Sequence, residues 1–356
     1  MIAHMSDTHL GAMPYGLKER SEDFYDVFNE AIDIITKDHI GTVVHSGDIF
    51  DSPKPTGLAV KNLYEGLKRL ESSGSRMLFV LGEHDISRVK DVPFPLLLGE
   101  MGFATYIGDG VPHEFDGITF TGFSKHRRSE INALREKLAG LKRGAGKNVL
   151  VLHQGLVEFN YYAGEITTAD LPDWFDYYAM GHLHDHDEKR FAGINGDVCY
   201  AGSTDASGFC IVDLSGETKV EWVKLEQARK AMKFTVDYQD MEKGVESIMK
   251  EISGLRKKPV VSVTVVGREV NRAGAMLALK PVYDASLFLQ TGFRETAVAA
   301  GTEEKPADLR AEMLTQAERI LGKAGKFAVS ELLPEAGDED AMSERMWRAF
   351  EGGELD

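Results

Sequence analysis

The 356-residue chain has few of the features that mark disulfide-rich or membrane proteins. Its two cysteines, Cys199 and Cys210, are too few for a disulfide scaffold or a cysteine-rich zinc module. No apolar run approaches the roughly twenty residues needed to cross a bilayer. Strand-like sequence begins at Ile2, so we expect no leader peptide. We therefore expect no membrane association and a location in the reducing cytoplasm.

Basic residues are also scarce, because 41 lysines and arginines face 57 acidic residues and give a net charge of −16. This balance is unfavourable for binding nucleic acid, where neutralisation of phosphates supplies most of the non-specific affinity. Part of the acidic excess lies in the terminal segment 335–356. A nucleic-acid function would therefore need a local basic rim. The candidates for that rim are Lys54, Arg88, Lys90, Lys125, Arg127 and Arg128.

Five short clusters of acidic residues and histidines are the strongest positive signal. Each cluster follows a short apolar run of the kind found in buried strands. The clusters are Asp7-Thr8-His9, Gly47-Asp48, Gly82-Glu83-His84-Asp85, His153-Gln154-Gly155 and Gly181-His182-Leu183-His184. Ligand sites of open α/β sheets lie beyond the carboxyl ends of the strands, so we expect the five clusters to meet at one edge of a sheet.

Seven side chains in these clusters are suited to binding metal ions. They are Asp7, His9, Asp48, Glu83, His153, His182 and His184. The set is too large for one tetrahedral site, but it fits two ions about 3.5–4 Å apart that share a bridging carboxylate. Mixed oxygen and nitrogen donors favour manganese, iron or zinc. The alternative is that each residue is an isolated core or turn residue, which we favour for the lone histidines His39, His45 and His113.

The order of these motifs resembles the calcineurin-like metallophosphoesterase superfamily over roughly the first two thirds of the chain. Within it, the stretch from His4 to Gly11 and the His153-Gln154-Gly155 triplet are similar to the Mre-eleven/SbcD repair nucleases, most of all to the archaeal form. The resemblance implies an α/β fold, a calcineurin-like metallophosphoesterase sandwich of β-sheets flanked by helices. A small α/β cap domain and a helical C-terminal tail would follow.

The resemblance also implies a role for each site residue. One ion would be held by Asp7, His9 and His184, the other by Glu83, His153 and His182, and Asp48 would bridge them. We expect two Mn²⁺ per subunit, with Mg²⁺, iron or zinc as alternatives. His84 would act as a general acid or electrostatic stabiliser at the leaving oxygen, because imidazole titrates near neutral pH.

Two positions depart from the pattern of the resembled family. Glu83 stands where Asn is usual, and its extra charge predicts tighter metal retention and a higher pH optimum. Alternatively, Glu83 points away and the site is impaired. Asp51 stands where many archaeal relatives have His. The hypothesis is that the Asp51 carboxylate accepts a hydrogen bond from His84. Asp85 is the competing partner, and it could equally cap a turn.

The remaining pattern divides the chain into three parts. We expect a metallophosphoesterase (nuclease) domain at 1–228, an α/β capping domain at 229–298, and a linker with a partner-docking tail at 299–356 whose acidic end is flexible. In the first part, apolar periodicity predicts a helix over Ser21–His39 capped by Ser21, and Thr56 caps a second helix. The apolar segment Val92–Met101 could cover the sheet.

Two of these segments are interpreted through the resembled family. Helices in the region of Thr56 to Met101 pair protomers there, so an exposed stripe would be a homodimer seam. In the tail, 301–306 reads as a linker between the cap and two helices, Leu309–Leu321 and Met342–Phe350. A tail of this kind docks on the coiled-coil base of a Rad-fifty-type ATPase in that family.

The resulting functional expectation is a manganese-dependent DNA nuclease of double-strand-break repair. It would cut single strands endonucleolytically and degrade duplex ends from 3′ to 5′, with DNA and the ATPase as partners. One alternative is another phosphoesterase, a phosphatase or nucleotide hydrolase; Ser52-Pro53 replaces the Arg-Gly usual in the phosphatases. Another is a DNA-end scaffold with impaired catalysis. That reading is disfavoured because all seven ligand positions hold residues able to bind metal.

Overall fold

Two six-stranded sheets pack face to face in this computed structural model. It describes residues 1–87, 91–203, 208–295, 314, 317–318, 322–332 and 339–351. The first sheet has the order β12-β11-β1-β2-β3-β4 and the second the order β5-β6-β7-β8-β10-β9. Their strands are β1 Ile2–Met5, β2 Thr42–His45, β3 Arg76–Phe79, β4 Thr105–Tyr106, β5 His113–Phe115, β6 Ile118–Phe123, β7 Lys147–His153, β8 Tyr177–Gly181, β9 Asp187–Lys189, β10 Asp197–Tyr200, β11 Gly208–Asp213 and β12 Lys219–Lys224.

Helices cover the outer faces of both sheets. They are α1 Lys18–Lys37, α2 Gly57–Ser72, α3 Phe94–Glu100 and α4 Ile131–Ala139. The expected cap of α2 is confirmed, since Thr56 Oγ1 accepts a hydrogen bond from Ala59 N at 3.2 Å. The expected cap of α1 is wrong. The helix begins one turn earlier at Lys18, because the tight turn Pro14–Gly16 leads directly into it.

Three apolar cores separate the layers of the sandwich. Residues of α1 and α2 pack on the outer face of the first sheet, where Phe28 and Leu67 are buried. A second core lies between the sheets and includes Val44 and Val149. A third packs α4 through Leu134 on the second sheet. Because each sheet buries both faces, its strands are nearly continuously apolar, which explains the short uninterrupted runs in the sequence. The expected α/β sandwich is confirmed.

The two cysteines lie on strands of opposite sheets. Cys199 on β10 and Cys210 on β11 are fully buried, and their Sγ atoms are 3.6 Å apart. Both are free thiols. Their spacing along the chain does not suggest this contact; it arises because one sheet faces the other.

A small α/β unit with its own core follows β12. Its strands are β13 Ala231–Asp237, β14 Val260–Gly267 and β15 Phe288–Glu295, and its helices are α5 Met241–Ile252, α6 Arg272–Ala278 and α7 Lys280–Ala285. Strand β14 alternates between buried and half-buried residues, as expected for a sheet with one face on a core. This core includes Val263, Ile248 and Leu279.

By compactness, the chain divides into a unit of Met1–Val266 with Val270–Arg294 and a unit of Gly267–Glu269 with Glu295–Asp356. The three-part division at 228 and 298 stays a prediction. In the tail, the structure describes a π-helical turn at Ala328–Leu332 and helix α8 at Glu339–Glu351. The predicted linker 301–306, most of the predicted helix Leu309–Leu321 and the acidic residues after 351 lie outside the described residues. None of the described helices is long and apolar enough to span a bilayer.

Candidate metal centre

The five sequence clusters meet where the two sheets share an end. Strands β1, β2 and β3 of the first sheet lead into three clusters, and β7 and β8 of the second sheet supply the other two. The expectation of a single sheet edge is therefore corrected, because two facing sheets contribute. His153, the last residue of β7, joins them: its Nδ1 donates a hydrogen bond to the Ser46 carbonyl at 2.7 Å.

Four of the candidate ligands have left-handed backbone. Asp7, His9, Asp48 and His182 have φ values of 50°, 41°, 54° and 96°. This backbone conformation is unfavourable for residues other than glycine. It persists only where the surrounding structure holds the backbone in place, and such positions are common at functional sites. Asp7 N donates to the Gly47 carbonyl at 3.0 Å and His9 N to the Asp48 carbonyl at 3.1 Å, which fixes the two loops side by side.

Glycines keep the centre compact. A Cβ on Gly82 would collide with the Asp48 carboxylate. Gly47 has φ of 99°, and a Cβ there would collide with the His153 ring. Both glycines are needed because side chains approach the main chain directly at these points.

The first candidate triplet consists of Asp7, His9 and His184. The Nε2 atoms of His9 and His184 are 3.2 Å apart. Asp7 Oδ1 lies 4.0 Å from the first nitrogen and 3.8 Å from the second. One ligand atom from each residue falls within a sphere that could hold a metal ion.

The second candidate triplet consists of Glu83, His153 and His182. Glu83 Oε2 lies 2.7 Å from His153 Nε2, and Glu83 Oε1 lies 2.8 Å from His182 Nδ1. Glu83 therefore points into the centre, and the alternative that it points away is not what the structure shows. This triplet too brings one ligand atom from each residue together.

Asp48 lies between the two triplets. Its Oδ2 is 4.0 Å from His9 Nε2 and 3.4 Å from His153 Nε2. Its Oδ1 accepts a hydrogen bond from the main-chain nitrogen of His84 at 2.8 Å. The carboxylate is nearly fully buried and held in one orientation, as a bridging ligand must be.

The pKa values of several candidate ligands in the centre are shifted. Burial raises the pKa of Asp7, and the neighbouring charge of Asp48 raises it further. Burial lowers the pKa of His9 to about 4. Burial opposes ionisation of Asp48, but its contacts with His153 outweigh burial and lower its pKa. Carboxylates and imidazoles brought together in this way have the donor set of a transition-metal site.

Orphaned polar atoms show that these residues fit metal ions. Among the described residues, Asp7 Oδ1, His9 Nδ1 and His153 Nε2 are buried and make no hydrogen bond. The 2.7 Å approach of His153 Nε2 to Glu83 lacks the alignment of a hydrogen bond. Buried polar atoms are normally paired, because leaving one unpaired costs about 1–3 kcal/mol. Divalent cations would satisfy the oxygen and nitrogen atoms that face the centre.

His84 lies beside the first triplet, and its partner differs from the expected one. Its Nδ1 donates to the main-chain carbonyl of Asp51 at 2.9 Å, not to the carboxylate. The Asp51 carboxylate lies 3.9 Å from His9 Nδ1 instead. Burial would lower the pKa of His84, but the Asp51 carbonyl and the charges of Asp48 and Glu83 raise it overall.

Asp85, the competing partner, has a structural role. Its buried carboxylate accepts hydrogen bonds from the main-chain nitrogens of Ile49, Phe50 and Gly82 at 3.0–3.2 Å. Burial and the charge of Asp48 raise its pKa to about 7. Asp85 thus links the loops after β2 and β3, in agreement with the alternative that it caps a turn.

The predicted basic rim is only partly visible. Lys54, Arg127 and Arg128 are exposed, whereas Arg88 and Lys90 lie outside the described residues. Lys125 is turned inward, with its side chain 9% exposed and its Nζ 2.8 Å from Glu165 Oε2. Glu165 also accepts from Gln154 Nε2 at 2.6 Å. Sequence reasoning missed Glu165, which lies in an irregular loop without a motif.

Comparisons with known proteins agree with this geometry. Residues 1–186 match the family model described as Calcineurin-like phosphoesterase. The chain is 29% identical over 302 residues to the DNA double-strand break repair protein Mre11 of Sulfurisphaera tokodaii, covering 79% of this chain and 77% of that one. It is 30% identical over 307 residues to the Mre11 of Methanococcus maripaludis, covering 79% and 82%.

A solved dimetal phosphatase from Danio rerio aligns with a TM-score of 0.43 and 11% identity, over 63% of this chain and 95% of that one. That likeness is too low to bear on function. The family model covers more than half of the chain, and the relative from Methanococcus maripaludis is matched over most of its length. The chain therefore belongs to the calcineurin-like phosphoesterase family, within it to the Mre11 proteins, and is a metal-dependent phosphodiesterase.

Proposed function

We propose that this protein is a two-metal DNA nuclease of double-strand-break repair, with two Mn²⁺ per subunit. It would cut single strands endonucleolytically and degrade duplex ends from 3′ to 5′. The observation that carries the proposal is the position of Asp48 between two complete ligand triplets. The Mre11 relatives are DNA double-strand break repair proteins, which supports DNA as the substrate.

In this proposal Asp7, His9 and His184 would hold one ion, Glu83, His153 and His182 would hold the other, and Asp48 would be shared between them. Bound divalent cations would supply Lewis-acid stabilisation of the phosphodiester charge and activation of water. Asp7, Asp48 and His153 are buried, so solvent screens their charges poorly.

His84 is the residue that would serve the leaving oxygen. Its Nδ1 is held by the Asp51 carbonyl, so Nε2 remains for the substrate. Its raised pKa favours the imidazolium, the form that can donate a proton to the departing alkoxide. His84 is exposed and therefore accessible to a DNA strand.

The test is cleavage of hairpin and plasmid DNA by the purified protein with Mn²⁺, with and without chelator. Bis-p-nitrophenyl phosphate in parallel separates a nuclease from a general esterase. We expect cleavage of DNA that chelator abolishes and Mn²⁺ restores, with about two Mn²⁺ bound per chain. Hydrolysis of the small ester without cleavage of DNA would contradict the nuclease proposal and support a small-substrate hydrolase. Binding of DNA without cleavage in the presence of Mn²⁺ would support the scaffold alternative.

DNA backbone contacts are proposed for the exposed rim residues Lys54, Arg127 and Arg128. Charge reversal of Arg127 and Arg128 together should weaken DNA binding and flatten its salt dependence. Hydrolysis of bis-p-nitrophenyl phosphate should stay unchanged, because the ester needs no such contact. Loss of both DNA binding and ester hydrolysis would mean that these arginines stabilise the fold and do not contact DNA.

A homodimer is proposed through α3 and the start of α2. Leu58, Leu97 and Met101 are exposed there, with 55%, 38% and 67% of their surface accessible. Exposed apolar residues that cluster on a surface are typical of an interaction site. Leu97→Asp should convert a dimer to a monomer in light scattering. Leu277→Asp on α6, where Leu277 is 74% exposed, is the matched control and should leave the dimer intact.

Docking of a Rad-fifty-type ATPase is proposed for the tail. In the described part of the tail, α8 exposes Met346 and Trp347, and Arg345 pairs with Glu331 of the π-helical turn at 2.7 Å. Deletion of 339–356 should abolish co-purification with the ATPase and leave cleavage of the small ester intact. Retained co-purification would contradict this assignment.

A further inference from the structure

We propose that the Lys125 ammonium is a counter-charge for the Glu83 carboxylate. It lowers the affinity of the second triplet for its metal ion. The inference rests on the proposed metal function. It concerns a lysine that touches candidate ligands directly, although the sequence suggested a role at the DNA rim.

The main chain fixes Lys125 beside Glu83. Lys125 N donates to the Leu81 carbonyl at 2.8 Å, and Leu81 N donates to Ser124 Oγ at 3.0 Å. These two hydrogen bonds hold the end of β6 next to the end of β3. The backbone of residue 125 is therefore fixed at this place, and the ion pair of its Nζ with Glu165 Oε2 at 2.8 Å holds the side chain there.

The ammonium group lies among ligand atoms. Lys125 Nζ is 3.8 Å from Glu83 Oε2 and 3.5 Å from both ring nitrogens of His182. Its side chain is 9% exposed, so water screens these interactions poorly. A cation held by Glu83 and His182 would use ligands that lie within 4 Å of a positive charge.

Two consequences of opposite sign follow. Without metal, the ammonium offsets the carboxylate charges of Glu83 and Glu165 and stabilises the fold. With metal, the ammonium repels the bound cation and competes for the charge of Glu83. Glu165, 2.8 Å from Nζ, moderates this repulsion because it neutralises part of the ammonium charge.

The arrangement accounts for a carboxylate at position 83, where the resembled family has Asn. A carboxylate alone would tighten metal binding, and a nearby ammonium reverses part of that change. We therefore expect Glu83 and Lys125 to act as a pair, so that changing both residues restores a metal affinity close to that of the parent.

The experiment is Mn²⁺ titration of the metal-free protein by calorimetry, with the unfolding free energy of the metal-free protein measured in parallel. Lys125→Met should bind the weaker of its two Mn²⁺ about tenfold more tightly, equal to about 1.4 kcal/mol, and unfold more easily without metal. Glu83→Asn should bind it about tenfold more weakly, and the double variant should return to within about threefold of the parent. Lys147→Met removes another ion-paired lysine, 3.2 Å from Asp176, and is the matched control with unchanged binding.

Glu165→Gln tests the same idea without removing the lysine. It frees the ammonium charge and should weaken Mn²⁺ binding, a change opposite to that of Lys125→Met. This variant also keeps the test decisive if Lys125→Met does not fold. Unchanged or weaker Mn²⁺ binding in Lys125→Met, or tighter Mn²⁺ binding in Glu165→Gln, would overturn the proposal that Lys125 is a counter-charge for Glu83. Failure of the parent protein to bind Mn²⁺ at all would overturn the proposed function as well.

Discussion

Asp7 and Asp23 are both almost fully buried, yet their surroundings are opposite. Asp23 on α1 accepts from Arg20 at 2.8 Å, from Lys257 at 3.0 Å and from Arg229 through two nitrogens. Its backbone is helical. Asp7 has left-handed backbone, contacts no lysine or arginine in the described part of the chain at the distance of a salt bridge, and leaves Oδ1 without a hydrogen bond.

Their pKa values reflect the same difference. Burial would raise the pKa of Asp23, but hydrogen bonds from Arg229, Lys257 and Arg20 outweigh burial and lower it. The pKa of Asp7 is raised by burial and by Asp48. One carboxylate is completed by the protein's own cations, whereas we propose that the other is completed by a bound metal ion. A buried acidic group is therefore informative about function only when its counter-charge has been counted.

The largest expected effect is that of Asp48→Asn, which removes the charge shared by both triplets. Cleavage should fall by about 10³-fold and bound Mn²⁺ should decrease, because the amide offers one neutral oxygen. The unfolding free energy of the metal-free protein should fall by no more than about 1 kcal/mol, because the lost interaction with His153 is partly offset by relief of the repulsion with Asp7. Activity, metal content and chemical denaturation measure the three quantities.

Asp33→Asn is the matched control for this substitution, because Asp33 pairs with Arg69 on the surface. It should leave cleavage and metal content unchanged. A large loss of stability in metal-free Asp48→Asn would mean that the centre is a structural cluster like that of Asp23.

Asp23→Asn should have the opposite pattern. Breaking a buried network around one carboxylate should lower the unfolding free energy by about 3 kcal/mol, because Arg229 and Lys257 lose their shared counter-charge. The affinity for Mn²⁺ should not change. Asp26→Asn removes a half-exposed partner of Lys257, 2.9 Å away, and should cost less than about 1 kcal/mol. Loss of metal binding in Asp23→Asn would remove the distinction between the two sites.

The Asp23 network also predicts how stability depends on pH. A carboxylate with a depressed folded pKa stabilises the fold fully above its unfolded value of about 3.9, and loses that contribution as pH falls through the folded value. The stability difference between the parent and Asp23→Asn should therefore be constant above about pH 5 and shrink below about pH 4. Urea denaturation across that range measures it. A difference that grows on acidification would mean that the folded pKa of Asp23 is raised.

Most of the centre could be predicted from sequence because its ligands follow strands. Short apolar runs mark the strands, and the carboxyl ends of parallel strands meet. His153 and Asp48 were therefore placed in one site although 105 positions separate their numbers. The assignment to a single sheet was wrong, because periodicity along a strand carries no information about which sheet the strand joins.

Contacts that use the main chain or an irregular loop could not be predicted. Glu165 reaches Lys125 and Gln154 from a loop whose residues follow no pattern. The partner of His84 is a carbonyl, and every residue has a carbonyl. Helix α1 starts at Lys18 and not at Ser21, because the preceding turn supplies the start without a polar cap.

The smallest expected effect belongs to Asp51→Asn, which distinguishes the two ways in which Asp51 could orient His84. The substitution keeps the main-chain carbonyl that accepts from His84 Nδ1, so the imidazole keeps its orientation. Only the carboxylate near His9 Nδ1 is lost. Turnover should fall by no more than about twofold, whereas His84→Gln should fall by about 10²-fold or more, with Mn²⁺ content intact in both. A loss above about tenfold in Asp51→Asn with metal retained would show that the carboxylate, and not the carbonyl, sustains the imidazolium during turnover.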